Sequence, residues 1–159
     1  MMVREALAAD IPALTDLRMA LFFELGELAQ PDADPALRQA TQAYFIQAQQ
    51  EGSARTWLVE EGGEPVACAT LALFVRLPYP GNLAGREGYL LNFYTRPAWR
   101  KRGMARALLH AMVTHAMVTH AREQQLGKLW LHASDQGRAL YETFGFSGNP
   151  ACLECSLTP

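Results

Sequence analysis

Tyr89-Leu90-Leu91-Asn92-Phe93-Tyr94-Thr95-Arg96-Pro97-Ala98-Trp99-Arg100-Lys101-Arg102-Gly103-Met104-Ala105-Arg106 is the stretch on which the fold turns. Its first seven residues read as an apolar, buried strand, and Pro97, which has no N–H to give a ladder, stops it. Arg100-Lys101-Arg102-Gly103-Met104-Ala105 then leads into a helix. The first turn of a helix leaves N–H groups unpaired and carries partial positive charge, so such a junction can hold a pyrophosphate through main-chain donors. Gly103 lets phosphates come close to the backbone. Arg100, Lys101, Arg102 and Arg106 put cations where an isolated helix disfavours them, which has a reason if an anion sits among them. A merely solvated basic surface is the plain alternative. The spacing is neither G-x-x-x-x-G-K-[ST] nor G-x-G-x-x-G, so nucleotide hydrolysis and hydride transfer lose support.

Upstream, residues 3–7 alternate as a strand. Asp10 is placed to cap a helix whose second position is Pro12, with Leu14, Leu17, Ala20, Leu21 and Leu25 on its apolar stripe. After the break at Pro31-Asp32-Ala33-Asp34-Pro35 a second helix spans about residues 36–50 and closes at Gly52. Residues 56–60 and 65–75 read as a hairpin turning at Gly62-Gly63, and residues 76–88, rich in Pro and Gly, as an exposed loop. Downstream, the helix runs from about residue 103 to 125, followed by a strand over 128–133. Ser134 then caps a short helix that ends at Gly145. A last strand holds Cys152-Leu153-Glu154-Cys155. This order predicts an α/β chain with a mixed, mainly antiparallel sheet flanked by about four helices, all in one domain over residues 1–159.

His110-Ala111-Met112-Val113-Thr114 recurs unchanged as His115-Ala116-Met117-Val118-Thr119, and His120-Ala121 begins a third copy. Five added helical residues rotate the downstream part of the helix by about 140° and lengthen the rod by about 7.5 Å. Either the helix runs on, the favoured reading, or the excess is absorbed as a bulge such as a π-type turn. His110, His115 and His120 lack the i, i+4 spacing of paired helical metal ligands, so no metal is expected.

The 159 residues suit one domain, 50% hydrophobic and 19% charged, with a net charge of −2 that gives no general pull toward nucleic acid. No stretch approaches the ~20 apolar residues of a membrane span, and residues 1–10 lack the pattern of a secretory leader, so a cytoplasmic address is expected. Three cysteines, Cys68, Cys152 and Cys155, are too few for a disulfide framework, and the C-x-x-C at 152–155 has no second pair for zinc.

Arg100-x-x-Gly103-x-Ala105 resembles the [Q/R]-x-x-G-x-[G/A] acetyl-CoA motif of the GNAT superfamily of N-acetyltransferases. The likeness extends upstream through Leu91-Asn92-Phe93-Tyr94-Thr95-Arg96-Pro97. Downstream, Leu131-His132-Ala133-Ser134 and Ala139-Leu140-Tyr141-Glu142-Thr143-Phe144-Gly145-Phe146 look like that family's fifth strand and fourth helix. The resemblance implies acetyl-CoA as co-substrate, with main-chain groups of Phe93, Tyr94 and Thr95 offered to the pantetheine arm. Arg100, Lys101, Arg102, Gly103, Met104, Ala105 and Arg106 would wrap the pyrophosphate. It also implies a gap between the fourth and fifth strands, often at a bulge, for the thioester. Ser134 stands where many members have Asn near the cofactor.

Tyr141 occupies the family's usual general-acid position, from which a phenol can hand a proton to the departing thiolate; packing between helix and sheet is the alternative. The attacking amine must be neutral, and Glu87 and Glu24 are the carboxylates to test as base, although each also reads as a structural acid. His132 reads as a hydrogen-bonded core histidine. By the family layout the acceptor pocket lies between the first two helices and residues 76–88, where Glu24, Glu27, Asp32 and Asp34 suit a cationic amine. The leading reading is an acetyl-CoA-dependent N-acetyltransferase acting by direct attack of a primary amine of a small molecule or peptide, and a homodimer is plausible by family. The rivals are a catalytically inactive CoA-binding sensor or interaction module of the same fold and, more distantly, a basic patch for RNA phosphates.

Overall fold

A computed structural model of the chain describes residues 1–119 and 126–148. Strands β1 (Met2–Glu5), β2 (Ala54–Glu61), β3 (Glu64–Val75), β4 (Arg86–Thr95) and β5 (Lys128–Leu131) lie side by side in that order. Neighbours run antiparallel except β4 and β5, which are parallel. Helices α1 (Ile11–Glu24) and α2 (Pro35–Glu51) cover one face of the sheet, α3 (Met104–Thr119) covers the other, and α4 (Asp135–Glu142) follows β5. Period-two alternation sorts the β2 side chains: Trp57 and Val59 pack toward α3, whereas Leu58 packs toward α1 and α2. The mixed α/β architecture is the one the order of elements predicts. The expected strand around Cys152 and Cys155 lies outside the described residues.

Of the two caps expected from sequence, the one at Ser134 forms and the one at Asp10 does not, while Asp34 caps a helix without having been singled out. Asp34 accepts the Leu37 amide at 2.9 Å and opens α2, and Ser134 accepts the Gly137 amide at 3.2 Å and opens α4. Asp10 does something else. Its carboxylate takes the Leu7 amide at 2.7 Å and both terminal nitrogens of Arg4 at 2.7 and 2.8 Å, so it closes a short 3₁₀ turn and ties the start of α1 to β1.

β4 begins three residues before the expected Tyr89, at Arg86. Gly88 looked like a loop signal, but its role is close packing. A Cβ there would stand 2.7 Å from Leu71 Cδ1 and 2.9 Å from Leu129 Cδ2. Farther along, Cys68 pairs with Tyr94 and Thr70 with Leu91, so Asn92 and Phe93 together oppose the single residue Ala69. This is a β-bulge, with Asn92 at φ 59°. Its amide stabilises the left-handed backbone within a buried set formed by Thr70 and Cys68.

α3 runs without interruption through both full copies of the repeat to Thr119, so within the described residues the helix extends and does not bulge; residues 120–125 lie outside them. Met104, Leu108, Met112 and Ala116 form the buried stripe. The five-residue step carries the duplicated methionine off that stripe and brings the duplicated alanine, Ala116, onto it: Met112 is 1% exposed and Met117 is 67% exposed. His115 lies against Trp57 with ring centroids 5.1 Å apart, and His110 lies 6.5 Å from Phe144. Among the described residues no three His, Cys, Asp or Glu side chains gather as metal ligands, and no helix is long and apolar enough to cross a membrane.

Deleting residues 115–119 brings His120-Ala121 into the places of His115 and Ala116, which keeps the stripe and the Trp57 contact. The deletion variant is expected to melt within about 4 °C of the parent, about 1 kcal/mol for a domain of this size. A loss well beyond that in thermal denaturation would show that the second copy is integral to the core.

Candidate active site

β5 leaves the sheet early. Its last pair with β4 is Leu131 with Leu90, whereas β4 continues to Thr95, so among the described residues no strand lies beside residues 91–95 on that edge. The Arg96 N–H bonds to Val66 C=O on the β3 side. Since main-chain groups alternate along a strand, those of Phe93 and Thr95 face the open edge and those of Tyr94 face β3. The result is a gap along one wall of which the Phe93 main-chain groups and the Thr95 N–H have no strand partner among the described residues.

The gap leads to the start of α3. Lys101 at φ 61° and Gly103 at φ 82° turn the chain sharply before Met104. A lysine in the left-handed region is uncommon and marks a loop whose shape matters more than its comfort. The first bond of the helix runs from the Ala107 N–H to Gly103 C=O at 3.0 Å. The amides of Met104, Ala105 and Arg106 therefore have no intrahelical acceptor, and no other described residue supplies one. A Cβ placed on Gly103 meets no atom within 4 Å, so open space lies over the turn.

The four predicted cations are not equivalent. Arg100 pairs through Nη2 with Glu24, donates from Nε to Thr95 C=O at 2.9 Å, and lies 5.9 Å from the Tyr94 ring centre. It is committed to the protein. Lys101, Arg102 and Arg106 are exposed and have no ion pair among the described residues; Arg102 lies over Trp99 at 4.8 Å and Arg106 over Phe144 at 5.9 Å. Tyr94 Oη donates to Glu24 Oε1 at 2.6 Å. Burial would raise the Glu24 pKa, but the hydrogen bonds from Arg100 and Tyr94 outweigh it and hold the carboxyl below its usual range. Burial, then the bond to Glu24, pushes the Tyr94 phenol up to about 12.

Across the gap from Phe93 stands Tyr141, their rings edge to face with centroids 5.6 Å apart, and Phe146 packs on its other side at 6.1 Å. The Tyr141 hydroxyl has no hydrogen-bond partner among the described residues, and burial raises its pKa, so it stays protonated at neutral pH. Met104 is buried and Ala105 half-buried, so both contribute amides and not side chains to the turn. The Ser134 hydroxyl is occupied with capping α4.

Glu87 is fully buried at the far end of β4 from the helix start. Its oxygens accept from Tyr79 Oη at 2.8 Å, from Trp130 Nε1 and from Arg76 Nη1 at 3.4 Å. Burial favours its protonated form, yet these three donors together hold its pKa low. The acids of α1 and α2 are likewise occupied: Asp16 and Asp32 pair with Arg38 at 2.6 and 3.0 Å, and Asp34 caps α2. Glu24 is thus neutralised by Arg100, whereas Asp16 and Asp32 share one arginine and Glu27 has no ion pair among the described residues, so part of the expected acidic surface remains.

Two features escaped the sequence. Tyr89 and His132 are hydrogen-bonded where β4 and β5 part, and His132 is exposed, not a core residue as expected. Arg18 projects from α1 to the bulge, its Nη1 3.3 Å from Asn92 Oδ1. The signal for Arg18 was available: it falls on the sheet-facing stripe between Leu14 and Phe22, four residues from each.

Residues 14–146 match the Acetyltransferase (GNAT) family. The chain is 33% identical over 122 residues to aminoglycoside N(6')-acetyltransferase type 1 of Stenotrophomonas maltophilia, covering 76% of this chain and 71% of that one. In structure it is similar to an acetyltransferase of Clostridium acetobutylicum crystallised with acetyl-CoA (TM-score 0.82, 28% identity, 98% and 96% of the two chains). A GCN5-related N-acetyltransferase of Ralstonia eutropha JMP134 superposes with a TM-score of 0.75 at 26% identity, over 99% of each chain.

Replacing Glu87 with Gln keeps its shape but removes the charge facing Arg76. The Glu87→Gln variant is expected to be less stable at pH 7 by about 1–3 kcal/mol. Because the folded pKa is depressed, that contribution is complete above the unfolded value of about 4.3 and is lost as pH falls through the folded value. Urea melts of parent and variant should therefore converge below about pH 4; a gap unchanged with pH would assign the loss to packing alone.

Proposed function

Because the chain belongs to the GNAT acetyltransferase family and is an acyltransferase, we propose that it moves an acetyl group from acetyl-CoA to a primary amine by direct attack. The observation that carries this is the run of unaccepted amides at Met104, Ala105 and Arg106, opening onto the edge of β4 that β5 has left. Three donors and a helix N-terminus suit a diphosphate, with Lys101, Arg102 and Arg106 around it. Phe93 and the Thr95 N–H offer the edge along which a pantetheine amide pairs as an added strand would, the Thr95 carbonyl being taken by Arg100. Arg100 and Tyr94 act one step back, fixing the wall through Glu24.

At the inner end of the gap the amine nitrogen bonds to the acetyl carbon and the carbon–sulfur bond breaks. The departing sulfur takes the Tyr141 proton, and the proton shed by nitrogen passes to solvent, from which the phenolate is restored. Glu24 and Glu87 serve as anchors in this scheme: both are held ionised at lowered pKa by donors that fill their oxygens, which makes each a poor base. The neutral fraction of the amine itself then limits the rate, about 0.04% at pH 7 for a pKa near 10.4.

Calorimetry with acetyl-CoA and a thiol-release assay over an amine panel test the proposal. Gly103→Val, which forces a branched side chain into the left-handed region, is expected to abolish acetyl-CoA binding while the fold persists. Tyr141→Phe is expected to lower kcat by about 100-fold or more with acetyl-CoA affinity unchanged. Below the acceptor's pKa, kcat/KM should rise roughly tenfold per pH unit. Tight binding with no turnover of any amine, and no effect of Tyr141→Phe, would select a CoA-binding sensor instead.

A further inference from the structure

Arg4, Arg18, Arg38 and Arg55 are the half-buried arginines among the described residues, and three of them pair with carboxylates. Arg18 does not. Its contacts are the long bond to Asn92 Oδ1 and a stack over the Phe22 ring at 4.3 Å. Glu27 is near enough to be felt electrostatically but forms no ion pair with it, and the other charged or titratable groups that influence it are Cys68 and Tyr44. Cys68 is buried with its thiol pushed up to about 12, and the Tyr44 phenol is raised too, so neither offers a negative charge at neutral pH.

A guanidinium stays charged at any physiological pH, and withdrawing it from water without a counter-charge is costly. The cost falls on the face of β4 opposite α3, at the bulge beside the open edge, on the α1 and α2 side where the acetyltransferase reading puts the acceptor. Asn92, the residue that Arg18 touches, sits in a left-handed backbone and is itself buried, so the guanidinium is aimed at a fixed point. We propose that Arg18 is a specificity-determining residue that binds an oxyanion, a carboxylate or a phosphate, carried by the acceptor amine. Phe22 and Tyr44 flank it and suit the apolar part of such a molecule. A positive charge thereby stands on the side of the sheet where the sequence predicts only acidic residues.

This inference rests on the acetyltransferase reading, and its test separates the two. Matched acceptors are compared with wild type and with Arg18→Met, which keeps the length and the Phe22 contact: leucine with leucinamide, 2-aminoethyl phosphate with ethanolamine, and kanamycin as a polycation. Binding is measured by calorimetry in the presence of CoA, and turnover by thiol release. Arg18→Met is expected to weaken binding and raise KM for at least one anionic member by about 10- to 100-fold, sparing its neutral or cationic counterpart and leaving acetyl-CoA affinity unchanged. The pair that responds tells carboxylate from phosphate. Equal losses on both members of each pair, anionic members that wild type does not bind, or kanamycin preferred over every anionic acceptor, each overturns the inference. Wild type that binds an anionic amine in an Arg18-dependent way but releases no thiol sinks the enzymatic reading and leaves the anion site standing.

Discussion

The contact between Arg100 and Glu24 is the one on which the geometry of the site depends. Both side chains are partly exposed, so the Coulomb gain is modest, about 1 kcal/mol or less. Its value is in position. Glu24 ends α1, Arg100 precedes the turn into α3, and Tyr94 and the Thr95 carbonyl complete a set that joins a helix on one face of the sheet to the loop serving the other. With the end of β4 held there, the left-handed residues Lys101 and Gly103 have a fixed base from which to turn their amides outward. A loop anchored only by its own hydrogen bonds would have to recover that ordering entropy from the ligand.

Charge in this protein divides into the part the fold consumes and the part it leaves over. Arg4, Arg38, Arg55, Arg76 and Arg100 each find a carboxylate. Among the cations left without an ion pair, Lys101, Arg102 and Arg106 lie at the start of α3 and Arg18 on the α1 side of the sheet. A chain with a net charge of −2 thus presents residual positive charge on both approaches to the same gap. Acetyl-CoA and an anionic acceptor would meet there from opposite faces without their charges sharing one solvent path, which lessens their mutual repulsion.

Much of the architecture was legible from residues alone because it depends on local rules. The Gly62-Gly63 hairpin, the cap at Ser134 and the helix start at Gly103 follow from backbone preferences that neighbours in sequence decide. The beginning of β4 was not legible, since Glu87 and Gly88 look like loop residues until Tyr79, Trp130 and Arg76 arrive from 8, 43 and 11 positions away. Arg100 was read as a phosphate ligand for the same reason: its partner, Glu24, is 76 residues distant. Pairing of charges across the sheet is a tertiary fact, and it took Glu24 out of the acidic set read from sequence. The duplicated His-Ala-Met-Val-Thr was plain in sequence. Its continuation as helix could be decided only by which copy met Trp57.

The extra residue in β4 also acts as a counter of odd and even. In an unbroken strand Leu90, Asn92 and Tyr94 would share a side; here Leu90 and Phe93 serve the α3 layer and Tyr94 the α1 layer. Forcing all of these residues into a regular ladder would turn Tyr94 to the α3 side and unhook it from the Glu24 carboxylate, whereas removing Asn92 would let Phe93 alone face Ala69 and leave both rings on the layers they now serve. What the extra residue adds is therefore Asn92 itself, a left-handed backbone position whose side chain meets Arg18 from the other layer.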